Sequence, residues 1–226
     1  MSRRLLAVLG IAAVCSAVAV PAHAAQRSAC QRLSGVDRAP DRNVKLVKRP
    51  SRERPLADGS RASELVGCLL PRGRIFTIAT RKGVENDLAE EFGFRVRQVA
   101  GRVVLLDTFG TEGGYGSLTE TMVWNLGTGG SYTIARRCFG KDVPCSAEYD
   151  DALRALVTRD GRAVAMLAHW TANTSSGTHL VASYTSAGTP RLLDAGPPAD
   201  LPAPSLALTG STASWTHAGQ PRSIGL

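Results

Sequence analysis

Three stretches of this chain repeat one another at a nearly constant interval, and few folds accommodate that. Glu64, Leu65, Val66, Gly67, Cys68 and Leu69 lead into a turn at Gly73. Thr121, Met122, Val123, Trp124, Asn125 and Leu126 lead into Gly130, and His179, Leu180, Val181, Ala182, Ser183 and Tyr184 lead into Gly188. A second short apolar run follows each glycine, at 75–79, 132–135 and 192–193. The three glycines lie 57 and 58 positions apart. Self-similarity at such a period marks an array of small β units, each too small to bury its apolar face without a neighbour.

A second echo sits between the copies of the first. Residues 95–99 turn at Gly101 into 103–106, residues 153–158 turn at Asp160-Gly161 into 163–167, and residues 206–208 turn at Gly210 into 212–215. Short β-rich runs joined by glycine-containing turns are hairpin signals. The hairpins therefore alternate along the chain. Joining the hairpin at 65–79 to the one at 206–226 would close the array and remove two exposed sheet edges. Helix is scarce: only 84–92 has a helical pattern, and a plain loop suits it equally.

Alternating hairpins with turn glycines, polar connections and a sheet shared between the chain ends resemble the blades of a β-propeller of the WD40-like or TolB-like kind, over residues 64–226. The WD dipeptide is absent, and the count of three units falls short of the four to eight blades of most propellers. The resemblance implies an all-β fold, a small propeller-like array of antiparallel four-stranded sheets with three or four units. A fourth sheet could be hidden around 44–47. The alternatives are a three-sheet prism or barrel, or repeats that complete one another in an oligomer.

The expected organisation is a signal peptide at 1–24, a basic N-terminal arm at 25–62 and the repeat domain at 63–226. Arg3 and Arg4 precede an apolar run at 5–20, and Ala22 and Ala24 stand at the −3 and −1 positions of a cleavage site. Sixteen apolar residues are short of the roughly 20 that a spanning helix needs, so no transmembrane segment is expected in the mature chain. The expected location is secreted or associated with the cell envelope, by general or twin-arginine export. Four cysteines then remain, Cys30, Cys68, Cys138 and Cys145. Four cysteines in an oxidising compartment allow three pairings; sequence proximity favours Cys138 with Cys145, leaving Cys30 for Cys68. A pair separated by six residues with no nearby histidine does not fit a zinc site, and no metal or cofactor is expected.

The net charge of +8 is concentrated in the first third. Residues 25–82 hold 14 Lys and Arg against five Asp and Glu, whereas 83–226 hold 11 against 14. Such a stretch suits salt-sensitive attraction to an anionic polymer of a cell envelope, or serves as a solvated linker. No nucleic-acid reading module accompanies it, so nucleic acid is not an expected partner.

The chain contains no G-x-S-x-G, H-E-x-x-H, P-loop or G-x-G-x-x-G. The loop GTEGGYGS at 110–117 occupies the same place in one repeat as 170–178 does in the next, so both are expected on one rim. Glu112, Tyr115, His169 and Trp170 are the candidate ligand-binding residues there, with aromatic faces for sugar rings and polar groups for hydroxyls. Glu112, Glu120, Asp150 and Asp151 could supply the paired carboxylates of glycoside hydrolysis, but no spacing selects two of them. Asn173-Thr174-Ser175 matches a glycosylation sequon and marks an exposed loop. The expected function is a secreted, non-catalytic binding or scaffolding module, with carbohydrate or an anionic envelope polymer as its partner. The alternative is a secreted hydrolase acting on polysaccharide or peptide through loops 108–120 and 169–179.

Overall fold

A computed structural model of the chain describes residues 33, 36–37, 44–50, 63–69, 74–80, 92–112, 116–139, 148–171 and 174–226. They form four antiparallel sheets, each made of strands consecutive in sequence. The first comprises β1 (Val36–Asp37), β2 (Val44–Pro50), β3 (Ser63–Leu69) and β4 (Arg74–Thr80). The second comprises β5 (Phe92–Ala100), β6 (Val103–Glu112), β7 (Gly116–Asn125) and β8 (Gly130–Phe139). The third comprises β9 (Glu148–Val157), β10 (Ala163–Thr171), β11 (Thr174–Tyr184) and β12 (Pro190–Gly196). The last has three strands, β13 (Ala207–Thr209), β14 (Thr212–His217) and β15 (Gln220–Gly225), preceded by a 3-10 turn at Ala203–Ser205. The described residues are therefore all-β, in four sheets where the alternating hairpins count three units.

The repeat extends to irregularities in the ladders. In the third-to-fourth strand pairing of the first three sheets, one residue is left over on the fourth strand. It is Ile78 between Thr77 and Ala79, Ile134 between Thr133 and Ala135, and Leu193 between Leu192 and Asp194. The first strands of the middle sheets carry a matching extra residue, Arg97 in β5 and Leu153 in β9. An extra residue bends its strand and increases local twist, so matched bulges give the sheets matched curvature. The turns agree as well, since Gly101, Gly161 and Gly210 all adopt positive φ, between 61° and 90°. Gly101 and Gly210 each open a two-residue turn and Gly161 lies in a five-residue one, and glycine enters that region without steric cost.

Successive sheets pack face to face. Val44, Leu46, Leu65, Leu69 and Ile78 of the first sheet pack on Val104 and Leu106 of β6 and on Leu126. The alternate residues of β6, Val103 and Leu105, turn the other way onto Ala155, Ala163, Ala165 and Leu167 of the third sheet. Strand β10 repeats the pattern, its Val164 and Met166 packing on Leu206, Ala213 and Trp215. Strands β6 and β10 are thus covered on both faces, which is why 103–106 and 163–168 are continuous apolar runs rather than alternating ones. Each fully buried Val or Leu contributes about 1.5–3 kcal/mol. Small alanines on β10 let the middle sheets approach closely.

Two features differ from the sequence reading. The hairpins at the chain ends do not share a sheet: β13 pairs only with β14, and β15 only with β14. The reason is that Val44–Pro50 pairs along the full length of Ser63–Leu69 and Val36–Asp37 adds beyond it, so that side of β3 has no vacancy for a C-terminal strand. The stretch around 44–47 is thereby part of the first sheet rather than a sheet of its own. The segment 1–24 and residues 81–91 lie outside the described residues. Among the described residues no helix is long and apolar enough to cross a membrane.

Candidate functional site

The two middle sheets meet along β8 and β9, and the polar residues of that junction converge toward the end where β10 passes into β11. Asp150 on β9 stands directly opposite His169 on β10. Their side chains meet, with His169 Nδ1 2.9 Å from Asp150 Oδ1. Arg137 on β8 crosses between sheets and donates from Nη1 to Asp151 Oδ2 at 2.7 Å. The Arg137 guanidinium also lies 5.7 Å from the ring centroid of Trp170, within the range of a cation–π contact. Between His169 and Trp170 the pairing with β11 shifts. The two residues left over, Ser176 and Gly177, belong to β11, so it is that strand that bends there.

This corner brings together a cation, two carboxylates, an imidazole and an indole, all partly exposed. Side-chain exposures run from 22% at Asp151 to 33% at Asp150 and Arg137. Asp151 is paired with Arg137 and Asp150 is bonded to His169, so fixed donors and acceptors stand close to an aromatic ring.

Of the residues singled out by sequence, His169 and Trp170 stand side by side in this corner. Glu112 ends β6, at the same end of the second sheet; its side chain and the whole of Tyr115 lie outside the described residues. Arg137, Asp150 and Asp151 complete the corner. Their association depends on pairing across strands and sheets, which no local pattern in the sequence reports.

Carboxylates elsewhere are also committed. Glu64 accepts from Arg49 Nε at 2.6 Å, Glu120 from Arg136 Nε at 2.8 Å, and Asp107 from Arg95, Arg97 and Thr121. Asp194 accepts from Trp215 Nε1 at 2.7 Å and contacts His217 Nδ1 at 2.8 Å. Burial works against its ionisation, but the bonds from Trp215, His217 and the Ala195 N–H prevail and hold its carboxyl below the ordinary range. Among the described residues no group of three or more His, Cys, Asp and Glu could hold a metal ion.

A second polar region lies at the opposite end of the sheets, among the glycine turns. The ends of β5 and β9 and the β13–β14 turn surround an open cleft of about 570 Å³. Ala100, Val157 and Leu208 give it an apolar floor, while Arg159, Asp160 and Arg162 give it charge. Thr158 Oγ1 donates to Asp160 Oδ1, and Arg162 Nε donates to Asp160 Oδ2 at 2.8 Å. These bonds, the Thr158 one foremost, hold the Asp160 carboxyl below its usual range.

Cys68 is fully buried beside Leu33, Val47 and Val66 and is disulfide-bonded. Cys30, Cys145 and the side chain of Cys138 lie outside the described residues, and the expected pairings lie there with them. The chain matches no protein-family model, no curated protein and no solved structure.

Proposed function

We propose that this chain is a secreted, non-catalytic β-repeat binding module of the cell envelope or extracellular space, propeller-like in the WD40 or TolB manner, that holds carbohydrate at the His169–Trp170 corner. The observation that carries this reading is that both carboxylates of the corner are already engaged. Asp150 and Asp151 are each engaged by a partner within 3 Å, so neither stands free as the acid or nucleophile of a hydrolytic pair. What the corner offers is an aromatic ring beside fixed donors and acceptors, which suits sugar hydroxyls. The repeats serve as a rigid scaffold that presents this surface.

The basic N-terminal stretch enters the proposal in a reduced role. Arg49 is spent on Glu64, and Lys45 donates to the Leu33 carbonyl at 3.3 Å. Part of the positive charge thus anchors the first sheet. Lys48 is exposed and is available to an anionic envelope polymer.

The test is co-sedimentation with insoluble envelope polysaccharide, comparing the protein with its Trp170→Ala variant and sizing the polymer afterwards. The expected result is binding that weakens about tenfold, or 1.4 kcal/mol, on loss of the indole, with polymer length unchanged. Shortened polymer would establish the hydrolase instead, and equal binding by the variant would remove the corner from the account.

A further inference from the structure

We propose that the cleft among the glycine turns is a second binding site, for a compact ligand that carries one anionic group, a carboxylate or a phosphate, on a sugar-sized body. Its volume of about 570 Å³ lies within the range of pockets that enclose small molecules. It is built by the first strands of three successive sheets, β5, β9 and β13, and therefore exists only when the sheets are stacked.

The charge in the cleft is unbalanced in one direction. Asp160 is fixed by Thr158 and Arg162, so it remains ionised and neutralises Arg162. Arg159 has no such partner: among the described residues no carboxylate pairs with it, and its side chain is exposed. Its stem lies over the Gly101 turn, with Cγ 3.6 Å from the position a Cβ would occupy there. A guanidinium is permanently charged and presents a planar set of donors that matches the two oxygens of a carboxylate or phosphate.

The floor favours a ligand with a body as well as a charge. Ala100, Val157 and Leu208 offer apolar surface to the face of a sugar ring or a short alkyl chain. Gln98, which also lines the cleft, is not available to the ligand. Its amide donates to the Val157 carbonyl at 3.2 Å and accepts from the Val157 N–H at 3.0 Å. It binds the edge of β9 as a further strand would, and so makes the floor rigid. Ser211, in the β13–β14 turn, supplies a hydroxyl at the margin.

This site is independent of the carbohydrate corner. The two lie at opposite ends of β10, whose nine residues span roughly 25–30 Å at the usual rise of a strand.

Titration calorimetry of the purified protein with glucuronate, glucose 6-phosphate and glucose at low ionic strength tests the proposal. At least one of the two anions is expected to bind more tightly than glucose, and that preference is expected to shrink as salt is added. Binding of one anion alone supports the site and identifies the group it prefers. Arg159→Gln is expected to weaken anion binding at least tenfold without altering thermal unfolding, because the side chain is exposed and unpaired. Arg191→Gln, on β12, is expected to leave it unchanged. Failure of both anions to bind, equal binding of glucose, or full binding by Arg159→Gln would overturn the proposal while leaving the corner untouched.

Discussion

Tyr132 and Tyr184 stack across the junction of the two middle sheets, ring centroids 6.2 Å apart and planes inclined by 19°, and each donates its hydroxyl to a carbonyl of the other's sheet. Tyr132 of the second sheet reaches Gly161 at 2.8 Å, and Tyr184 of the third reaches Ile134 at 2.9 Å. The exchange fixes the sheets in both position and rotation. Tyr132→Phe and Tyr184→Phe should each cost about 1 kcal/mol in chemical denaturation, the typical net value of one hydrogen bond. The double variant should lose less or more than the sum, since contacting residues couple.

The same pair sets an alkaline limit. Burial, and then the charge of Asp150, pushes the Tyr184 hydroxyl up to about 12; burial pushes Tyr132 higher still. An unfolded tyrosine ionises near 10, so above that pH the unfolded chain releases protons that the folded one retains. The contribution to stability is complete below pH 10 and is lost as pH rises through 12. Ultraviolet titration should show these two phenols ionising only together with unfolding.

Two turn glycines should respond unequally to alanine. Gly188 has φ +84°, and an added Cβ would lie 2.5 Å from Tyr132 Cβ; Gly210 has φ +61° with nothing within 4 Å. Gly210→Ala should cost about 1–2 kcal/mol from the left-handed backbone alone. Gly188→Ala should add about 1–3 kcal/mol of overpacking and loosen the tyrosine stack. Denaturation midpoints of the two variants give the comparison.

Asp107 is the most consequential carboxylate for stability. Its side chain is 4% exposed, and it holds Arg97, which is 19% exposed, at 2.7 Å. Arg97 in turn donates to the Ala152 carbonyl of the third sheet at 3.0 Å. Asp107→Ala leaves a half-buried guanidinium uncompensated and should cost about 3–5 kcal/mol. Arg95→Ala, removing the partner that is 68% exposed, should cost less than about 1 kcal/mol.

The disulfides are expected to join Cys30 to Cys68 and Cys138 to Cys145 in secreted protein. The longer loop should contribute on the order of 3–4 kcal/mol by restricting the unfolded chain. Peptide mapping without reduction decides this, and a Cys68 to Cys138 link would refute the assignment.

Legibility in the sequence varied with the kind of interaction. The middle sheets were readable because Gly101, Gly161 and the apolar runs around them are local signals. Strand β2 was obscured because Lys45, Lys48 and Arg49 interleave with Val44, Leu46 and Val47, and the basic composition masked the alternation. Strand β15 carries almost no apolar signal. It is exposed along most of its length and is held by its ladder to β14. The His169–Trp170 corner was half visible, since both residues belong to one strand end. Arg137 joins them only through the stacking of two sheets. The cleft was invisible, because Ala100, Arg159 and Leu208 are about fifty or sixty positions apart and meet only in the folded array.

The binding account is tested most directly by the three tryptophan indoles. Trp124, Trp170 and Trp215 give three side-chain N–H resonances in an isotope-labelled sample, and titration with soluble envelope oligosaccharide reports on each separately. The expected result is a saturable shift of the Trp170 signal alone, since Trp215 is bonded to Asp194 and Trp124 packs between the first and second sheets. A shift confined to Trp124 or Trp215, or no shift with any oligosaccharide at saturating concentration, would contradict it.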